Sequence, residues 1–388
     1  MLILSNHHLY TYNLRRELIE RLIEEGFRVY AVCGDSPGSQ LLQGLGCTVV
    51  SVPLNRRGSN PLDDVRLIRR YRNAIEEIRP DIILSFTVKP NIYGSFAAAW
   101  ARIPIIMNIT GLGSALQTGK LKPLVTRMYK HACKHATIVF FQNAANRDWF
   151  LENRLVAPEK TRLIPGSGVN LEKFRPLPKI NDDGVVRFLF IGRIMRDKGI
   201  EEYLAAAARI RRRHPYTEFQ VVGWYEEERY RERLEGNDDV RYLGRSGDVR
   251  EQIREVDCIV HPSYHEGMSN VLLEGAAMGK PLIASNIAGC REAIDDGVNG
   301  FVVEPICVDD LVDKLERFLS MDRNAWVKMG MKSREKVERE FDRNLVVNAY
   351  LKAIEEILSQ KGWSLLRSKR RYSNSTLGCS CLAPENVL

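Results

Sequence analysis

The stretch Cys258-Ile-Val-His261-Pro-Ser-Tyr-His-Glu266-Gly-Met-Ser-Asn270-Val-Leu-Leu-Glu274-Gly-Ala-Ala-Met-Gly-Lys280-Pro281 decides how the chain is read. Cys258–Val260 is a short apolar strand, the residues up to Asn270 are loop and cap types, Val271 onward is helical, and Lys280-Pro281 leads into another strand. On that reading Glu266 sits in the loop and Glu274 lies near the end of the helix's second turn. Between them, the backbone N–H groups of Gly267, Met268, Ser269 and Asn270 form a helix start whose open donors and dipole favour an anion. Carboxylates that accept from hydroxyls, next to N–H groups that hold phosphate, suit a nucleotide-sugar. The plainer reading is an ordinary capped helix with a solvated Glu, and the strand–loop–helix–strand unit argues against it.

The same alternation runs along the whole chain. Leu2–Ser5, Arg28–Cys33, Thr48–Val52, Ile82–Phe86, Ile105–Ile109 and Thr137–Phe141 are strand-sized apolar or β-branched runs. Helical patterns fall at Asn13–Glu25, Leu62–Ile78, Ile92–Ala101 and Lys122–Lys134. A second series follows at Val186–Ile191, Glu218–Val222, Val240–Leu243, Cys258–Val260, Pro281–Ala284 and Phe301–Val303. Continuous apolar strands separated by amphipathic helices imply parallel sheets covered on both faces. Asn170 to Asp183, with Pro176 and Pro178, has the chemistry of a linker. A length of 388 residues suits two or three domains. The predicted fold class is α/β: two Rossmann-like, doubly wound domains, with ligands at the carboxyl ends of strands facing a cleft. Leu345–Leu358 reads as one more helix, and beyond Gly362 the basic, polar composition predicts disorder.

Composition narrows the class. Apolar residues at 44% and charged residues at 27% are ordinary for a globular protein. No apolar run is long enough for a bilayer span, and Met1–Ser5 reads as a first strand rather than a signal peptide. The eight Cys include no Cys-x-x-Cys pair; only Cys379-Ser-Cys381 is close-spaced, so reduced thiols and no metal site are expected. Charge is lopsided: residues 1–170 hold 22 Lys and Arg against 13 Asp and Glu. No acidic residue falls between Asp81 and Asp148. Within that gap, Lys120 to His135 carries Lys120, Lys122, Arg127, Lys130 and Lys134, with Leu121, Leu124, Val125, Met128 and Tyr129 between them. Such a basic amphipathic helix suits an anionic membrane surface, where each nearby cation contributes roughly 1 kcal/mol. A solvated helix covering a sheet is the equal alternative. Nucleic acid fits poorly, since exposed aromatics do not interleave with the cations.

A second chemical signal is Gly192-Arg193-Ile-Met-Arg196-Asp-Lys198-Gly199, after a strand and opening a helix. Gly192 permits a sharp turn, and Arg193 and Lys198 offer a fork and a point charge to one anion. Two cations beside a helix N-terminus suit a diphosphate leaving group, whose charge grows as a glycosidic bond breaks. Followed by Glu266-x7-Glu274, this pattern resembles the family-4 retaining glycosyltransferases of the GT-B fold over residues 1–360. Thr87-Val-Lys89-Pro-Asn91-Ile-Tyr-Gly94, Asn108-Ile-Thr-Gly111-Leu-Gly113, Phe141-Gln-Asn143 and Pro165-Gly-Ser-Gly168-Val-Asn170 resemble a bacterial subgroup. Its members extend lipid-linked oligosaccharides or polysaccharide repeat units, often with N-acetylhexosamine donors.

The resemblance implies roles for the matching positions. Glu274 would bind the ribose hydroxyls and Glu266 the donor sugar. Arg193 and Lys198 would hold the diphosphate, helped by Gly192 and by the backbone of Gly267, Met268, Ser269 and Asn270. Leu243-Gly-Arg245 would lie against the base. Many members carry a His at the end of the strand matching Ile105–Ile109. Here Met107-Asn108-Ile109-Thr110 stands there, leaving Asn108 or Thr110 as acceptor-side substitutes. Ser5-Asn6-His7-His8 replaces the usual glycine-rich first loop, and His7 and Lys89 are further acceptor-side candidates. His261 ends a strand and is expected to be a satisfied structural His, with a place near the donor sugar as the alternative.

By the same resemblance, residues 1–170 would form the acceptor domain and 171–340 the donor domain. Residues 341–362 would pack back on the first domain, ahead of a tail at 363–388. The implied reaction uses a UDP-sugar and a polyprenyl-diphosphate-linked acceptor, with no metal or cofactor, at the cytoplasmic face of the membrane through Lys120–Lys134. A nucleotide-sugar epimerase of the same architecture and a non-catalytic subunit of a glycosylation complex stay open. An NAD-dependent enzyme fits badly, because Gly111-Leu-Gly113-Ser-Ala-Leu116 lacks a third Gly and falls late in its domain.

Overall fold

The computed structural model describes residues 1–34, 38–54, 60–111, 122–180 and 183–360. Gly113, Lys120, Leu121 and the tail 361–388, with Cys379 and Cys381, lie outside these residues. Seven strands form the first sheet: β1 (Leu2–Ser5), β2 (Tyr30–Gly34), β3 (Thr48–Val52), β4 (Ile83–Phe86), β5 (Ile105–Ile109), β6 (Ile138–Phe141) and β7 (Thr161–Leu163). All pair in parallel, in the order β3-β2-β1-β4-β5-β6-β7. The second sheet holds β8 (Val186–Ile191), β9 (Thr217–Val222), β10 (Val240–Tyr242), β11 (Cys258–His261), β12 (Leu282–Ser285) and β13 (Gly300–Val303). It is also parallel, in the order β10-β9-β8-β11-β12-β13. Each sheet is therefore doubly wound, and strand order reverses beside β1 and β4 in one and beside β8 and β11 in the other.

The inner strands of both sheets are buried on both faces, as their unbroken apolar runs require, while β3, β7 and β10 at the edges are partly exposed. Leu2 and Leu4 enter the core on one side of the first sheet, and Met1 and Ile3 that on the other. Phe188 and Phe190 alternate in the same way with Leu189 and Ile191. Two helix starts differ from expectation by four residues or more. The helix predicted from Ile92 begins at Val88, because Pro90 falls in its first turn, where a missing N–H costs nothing. The helix predicted from Asn13 begins at His8, capped by the His7 ring, which accepts from the Leu9 amide.

The last helix, Arg343–Gln360, returns to the first domain. Val346, Tyr350, Ile354 and Ile357 lie on one helical face and join Ile3, Leu18 and Ile106 in a single core. Each buried aliphatic side chain contributes about 1.5–3 kcal/mol to this docking. At its centre, Asn108 Nδ2 donates to the Tyr350 hydroxyl at 2.6 Å. The Asn108 carbonyl accepts from Asn91 Nδ2 at 2.8 Å, and Asn91 Oδ1 accepts from Ser85 Oγ at 2.8 Å. Asn108, expected on the acceptor side of the cleft, is instead 0% exposed. An amide in that position must be paired or pay a desolvation penalty, and the last helix supplies the partner.

The basic helix Lys122–His135 packs against Val88–Ala101 through Tyr129, Ala132 and Cys133. Val125 and Met128 also turn inward. Lys122, Arg127, Lys130 and Lys134 are exposed, with Leu124 beside them at 56% exposure. Its apolar stripe thus serves the core, and it presents mainly charge outward.

Replacing Tyr350 by Phe leaves Asn108 Nδ2 buried without an acceptor, and should lower the unfolding free energy by about 1–3 kcal/mol. Urea denaturation measures this; an unchanged midpoint would show that the last helix is not held at this pair.

Candidate active site

The loops that leave β8 and β11 are neighbours because those strands are paired, Cys258 opposite Phe188 and Ile259 opposite Leu189. After β8 the chain makes a short turn at Arg196–Lys198 and enters the helix Ile200–Arg213 through Gly199, at φ +76°. A Cβ on Gly199 would stand 2.0 Å from the Pro262 carbonyl oxygen, so only glycine allows this approach. The two loops are tied further by Tyr264 N and Ser263 Oγ, which donate to the Asp197 carbonyl at 2.9 and 3.2 Å. As a result Lys198 Nζ lies 2.5 Å from Glu266 Oε1, and His261 Nε2 lies 2.8 Å from the same oxygen. Burial alone would raise the Glu266 carboxyl, but Lys198 and His261 outweigh it and hold it well below the usual carboxylate range.

The helix Asn270–Ala277 follows, capped by the Ser269 hydroxyl, which accepts from the Leu272 amide. Of the four amides expected to face an anion, that of Ser269 is already used: it donates to the Gly289 carbonyl at 2.8 Å. The Met268 side chain is buried among Leu272 and Val169, so this residue offers its backbone. Arg193 does not join Lys198 on Glu266; its Nη1 lies 4.0 Å from Glu226, with the side chain 36% exposed. Arg245 stacks over the Trp224 ring at 5.5 Å, and the Leu243 amide extends β10 by donating to Val221.

Glu274 faces a cavity of about 860 Å³ where the two domains meet, lined also by Asn170, Lys173, Asp248, Arg343 and Glu17. Burial pushes its carboxyl up to about 7, with Arg343 and Lys173 opposing and Asp248 adding to the rise. Arg343 anchors the junction by donating to Glu17 at 2.8 Å and to the Gly168 carbonyl at 3.1 Å. Asn170 Nδ2 donates to the other Glu17 oxygen at 2.7 Å.

The first domain touches the loop after Glu266 directly. A Cβ on Gly267 would sit 1.8 Å from the Thr110 carbonyl oxygen, and Asn143 Nδ2 donates to the Gly267 carbonyl at 2.5 Å. Thr110 is thus brought to the site, whereas the other acceptor-side candidates are engaged elsewhere. Lys89 pairs with Asp64 at 2.8 Å, His7 caps its helix, and Asn108 is in the core. Asn143 had no role assigned from the sequence, although the Phe141-Gln-Asn143 motif just past β6 was a signal for it. Five of the twelve unpartnered buried side-chain atoms among the described residues lie at or just past strand ends, namely Thr87 Oγ1, Asn108 Oδ1, Gln142 Nε2, His261 Nδ1 and Ser285 Oγ, and Asn146 Nδ2 and Asn270 Oδ1 lie in the first turns of the helices that follow. Buried polar groups are normally paired, and this is the edge at which doubly wound sheets bind ligands. Among the described residues no group of three His, Cys, Asp or Glu side chains could hold a metal ion.

The raised Glu274 carboxyl has a pH signature. The folded protein binds this proton more tightly than the unfolded chain, so the stability it contributes is lost as pH rises from about 4.5 toward 7. Glu274→Gln should therefore be more stable than the wild type at pH 7, with the difference shrinking as pH falls toward about 5. Denaturation midpoints across that range test it, and a pH-independent difference would contradict it.

Residues 14–166 match the family described as "Glycosyl transferase 4-like domain", and residues 186–321 match "Glycosyl transferases group 1". The chain is 26% identical over 366 residues to the N,N'-diacetylbacillosaminyl-diphospho-undecaprenol alpha-1,3-N-acetylgalactosaminyltransferase of Campylobacter jejuni, covering 89% of this chain and 96% of that protein. It is 27% identical over 319 residues to the UDP-Gal:alpha-D-GlcNAc-diphosphoundecaprenol alpha-1,3-galactosyltransferase of Escherichia coli, covering 77% and 81%. Among solved structures it resembles a glycosyltransferase from Rickettsia africae, at a TM-score of 0.75 and 19% identity, over 92% of this chain and 98% of that one. Anabaena HepE in complex with UDP and glucose superposes at a TM-score of 0.73 and 18% identity, over 91% and 98%. With two doubly wound domains meeting at this site, and with both halves matched, the chain belongs to the family-4 glycosyltransferases of the GT-B fold and is a glycosyltransferase.

Proposed function

We propose that the protein transfers a sugar, an N-acetylhexosamine or a hexose, from a UDP-sugar to a polyprenyl-diphosphate-linked saccharide, with retention of configuration, in the assembly of a cell-surface glycan. The observation that carries this is the junction of Lys198 with Glu266 at the start of the helix that bears Glu274. The activities of the relatives from Campylobacter jejuni and Escherichia coli, both acting on undecaprenyl-diphosphate-linked sugars, support the acceptor class.

In this reading the nucleotide spans the helix Asn270–Ala277, with its ribose hydroxyls on Glu274 and its diphosphate at the Asn270 end. Lys198 has three N–H donors; Glu266 takes one, and two remain for phosphate oxygens. Arg193 swings from its solvent-exposed contact to the same group. These cations and the helix dipole, equivalent to roughly half a charge, stabilise the negative charge that grows on the departing UDP. The acceptor hydroxyl attacks C1 on the face the diphosphate leaves. The new O–C1 bond forms as the C1–O bond to UDP breaks, and the hydroxyl proton passes to the leaving phosphate oxygen. Since protein groups supply the charge, transfer should persist in EDTA.

We also propose that the exposed cations of Lys122–His135 hold the enzyme at an anionic membrane surface by charge rather than by insertion. Among the described residues no helix is long and apolar enough to cross a membrane.

The direct test offers radiolabelled UDP-sugars singly to synthetic polyprenyl-diphosphate saccharides. Lys198→Ala and Glu274→Ala should each lower kcat/KM by at least about 10²-fold, the scale of one lost transition-state contact. Near-normal values in both would refute the site. Replacing Lys122, Arg127, Lys130 and Lys134 together by Ala should release the protein from anionic vesicles and leave UDP binding intact; unchanged vesicle binding would overturn the membrane reading.

A further inference from the structure

We infer that His261 is a positioning residue for the transfer reaction: its Nε2–H holds Glu266 Oε1, so that Oε2 is left to meet the donor sugar. The inference rests on the proposed role of Glu266.

His261 is the last residue of β11, and its side chain is 2% exposed. Strand alternation puts it on the face of Ile259, which packs with Met268, Leu272 and Cys290, and opposite Cys258 and Val260. A His on an otherwise apolar strand face has a desolvation cost, and this ring recovers only one bond, from Nε2 to Glu266 at 2.8 Å. Nδ1 is buried without a partner among the described residues. Because it faces a carboxylate, Nε2 carries a proton, whereas Nδ1 has no acceptor beside it among the described residues. Lys198 Nζ approaches the same oxygen at 2.5 Å. Two donors converge on Oε1, and none of the described residues bonds Oε2. A carboxylate held at one oxygen by a buried, rigid ring cannot rotate freely, so its second oxygen has a set direction.

Lys198 cannot do this alone. In the proposed reaction it also serves the diphosphate, and a flexible ammonium shared between two anions fixes neither geometry. His261 is rigid, buried and committed to Glu266. Misplacing a reacting group by about 1 Å can cost up to about 10²-fold in rate, which is the scale at which such a support is felt.

Gln and Asn separate this role from simple packing. The Gln side-chain amide reaches about as far as Nε2, whereas that of Asn stops near Nδ1. Activity is normalised to UDP-binding sites, so loss of folded protein does not count. His261→Asn should lower kcat by about tenfold or more, with KM for the UDP-sugar changed far less, while His261→Gln should stay within about threefold of wild type. Equal kcat in the two variants overturns the inference, provided that Glu266→Ala abolishes transfer. Near-normal transfer in Glu266→Ala refutes the role of Glu266 itself, and this inference with it. The unmutated enzyme gives a second readout: long-range proton–nitrogen spectra should show one histidine ring protonated at Nε2 and bare at Nδ1, absent in His261→Gln. A ring protonated at Nδ1 instead overturns the assignment.

Discussion

The parallel pairing of β8 with β11 is the constraint on which the site depends. Their register sets Cys258 beside Phe188, and strand order reverses between them. The connections that leave their carboxyl ends therefore diverge to opposite faces and open a crevice. One connection brings Lys198 and the other brings Glu266, and the approach of Gly199 to Pro262 closes the gap between them. Neither charge has a stabilising reason to be there: a pair this buried gains little over apolar packing, although removing one partner alone costs about 3–5 kcal/mol. Its cost is the physical argument that it serves a ligand.

The second domain completes the site only when the first is in contact with it. Gly267 lies against the Thr110 carbonyl and accepts from Asn143, so the residue after Glu266 is held from across the cleft. At the other end of the helix, Arg343 joins the first helix, through Glu17, to the loop at Gly168, and it also lowers the Glu274 carboxyl. Interdomain closure and donor-site geometry therefore share residues at both ends of one two-turn helix. A displacement of the last helix, anchored at Tyr350, would reach the donor site through Arg343.

Much of this was legible in the chain because buried parallel strands are continuous apolar runs and because Glu266, Glu274 and Lys198 lie in short, chemically unusual segments. β7 was missed: it has three residues, Thr161–Leu163, and is mostly exposed, so no periodicity marks it. Pro90 precedes the helix expected from Ile92 and lies instead in that helix's first turn. Asn108 was an acceptor-side candidate because it stands where many family members carry a His, and its partner Tyr350 lies 242 positions away. The same holds for Arg343 and Glu17, 326 positions apart. Contacts of this kind depend on how two domains dock, and no local pattern encodes them. His261 was expected to be satisfied by its surroundings, but the fold leaves one nitrogen on Glu266 and the other without a partner among the described residues.

The central claim is that one helix of the second domain carries a whole donor site, with phosphate at its beginning and ribose at Glu274. A crystal structure of the protein soaked with UDP tests this most directly. The account predicts the diphosphate within hydrogen-bond distance of Lys198 Nζ and the Asn270 amide, and both ribose hydroxyls on the Glu274 carboxylate. UDP bound at the first domain's β1–β4 crevice, or with its ribose away from Glu274, would contradict it.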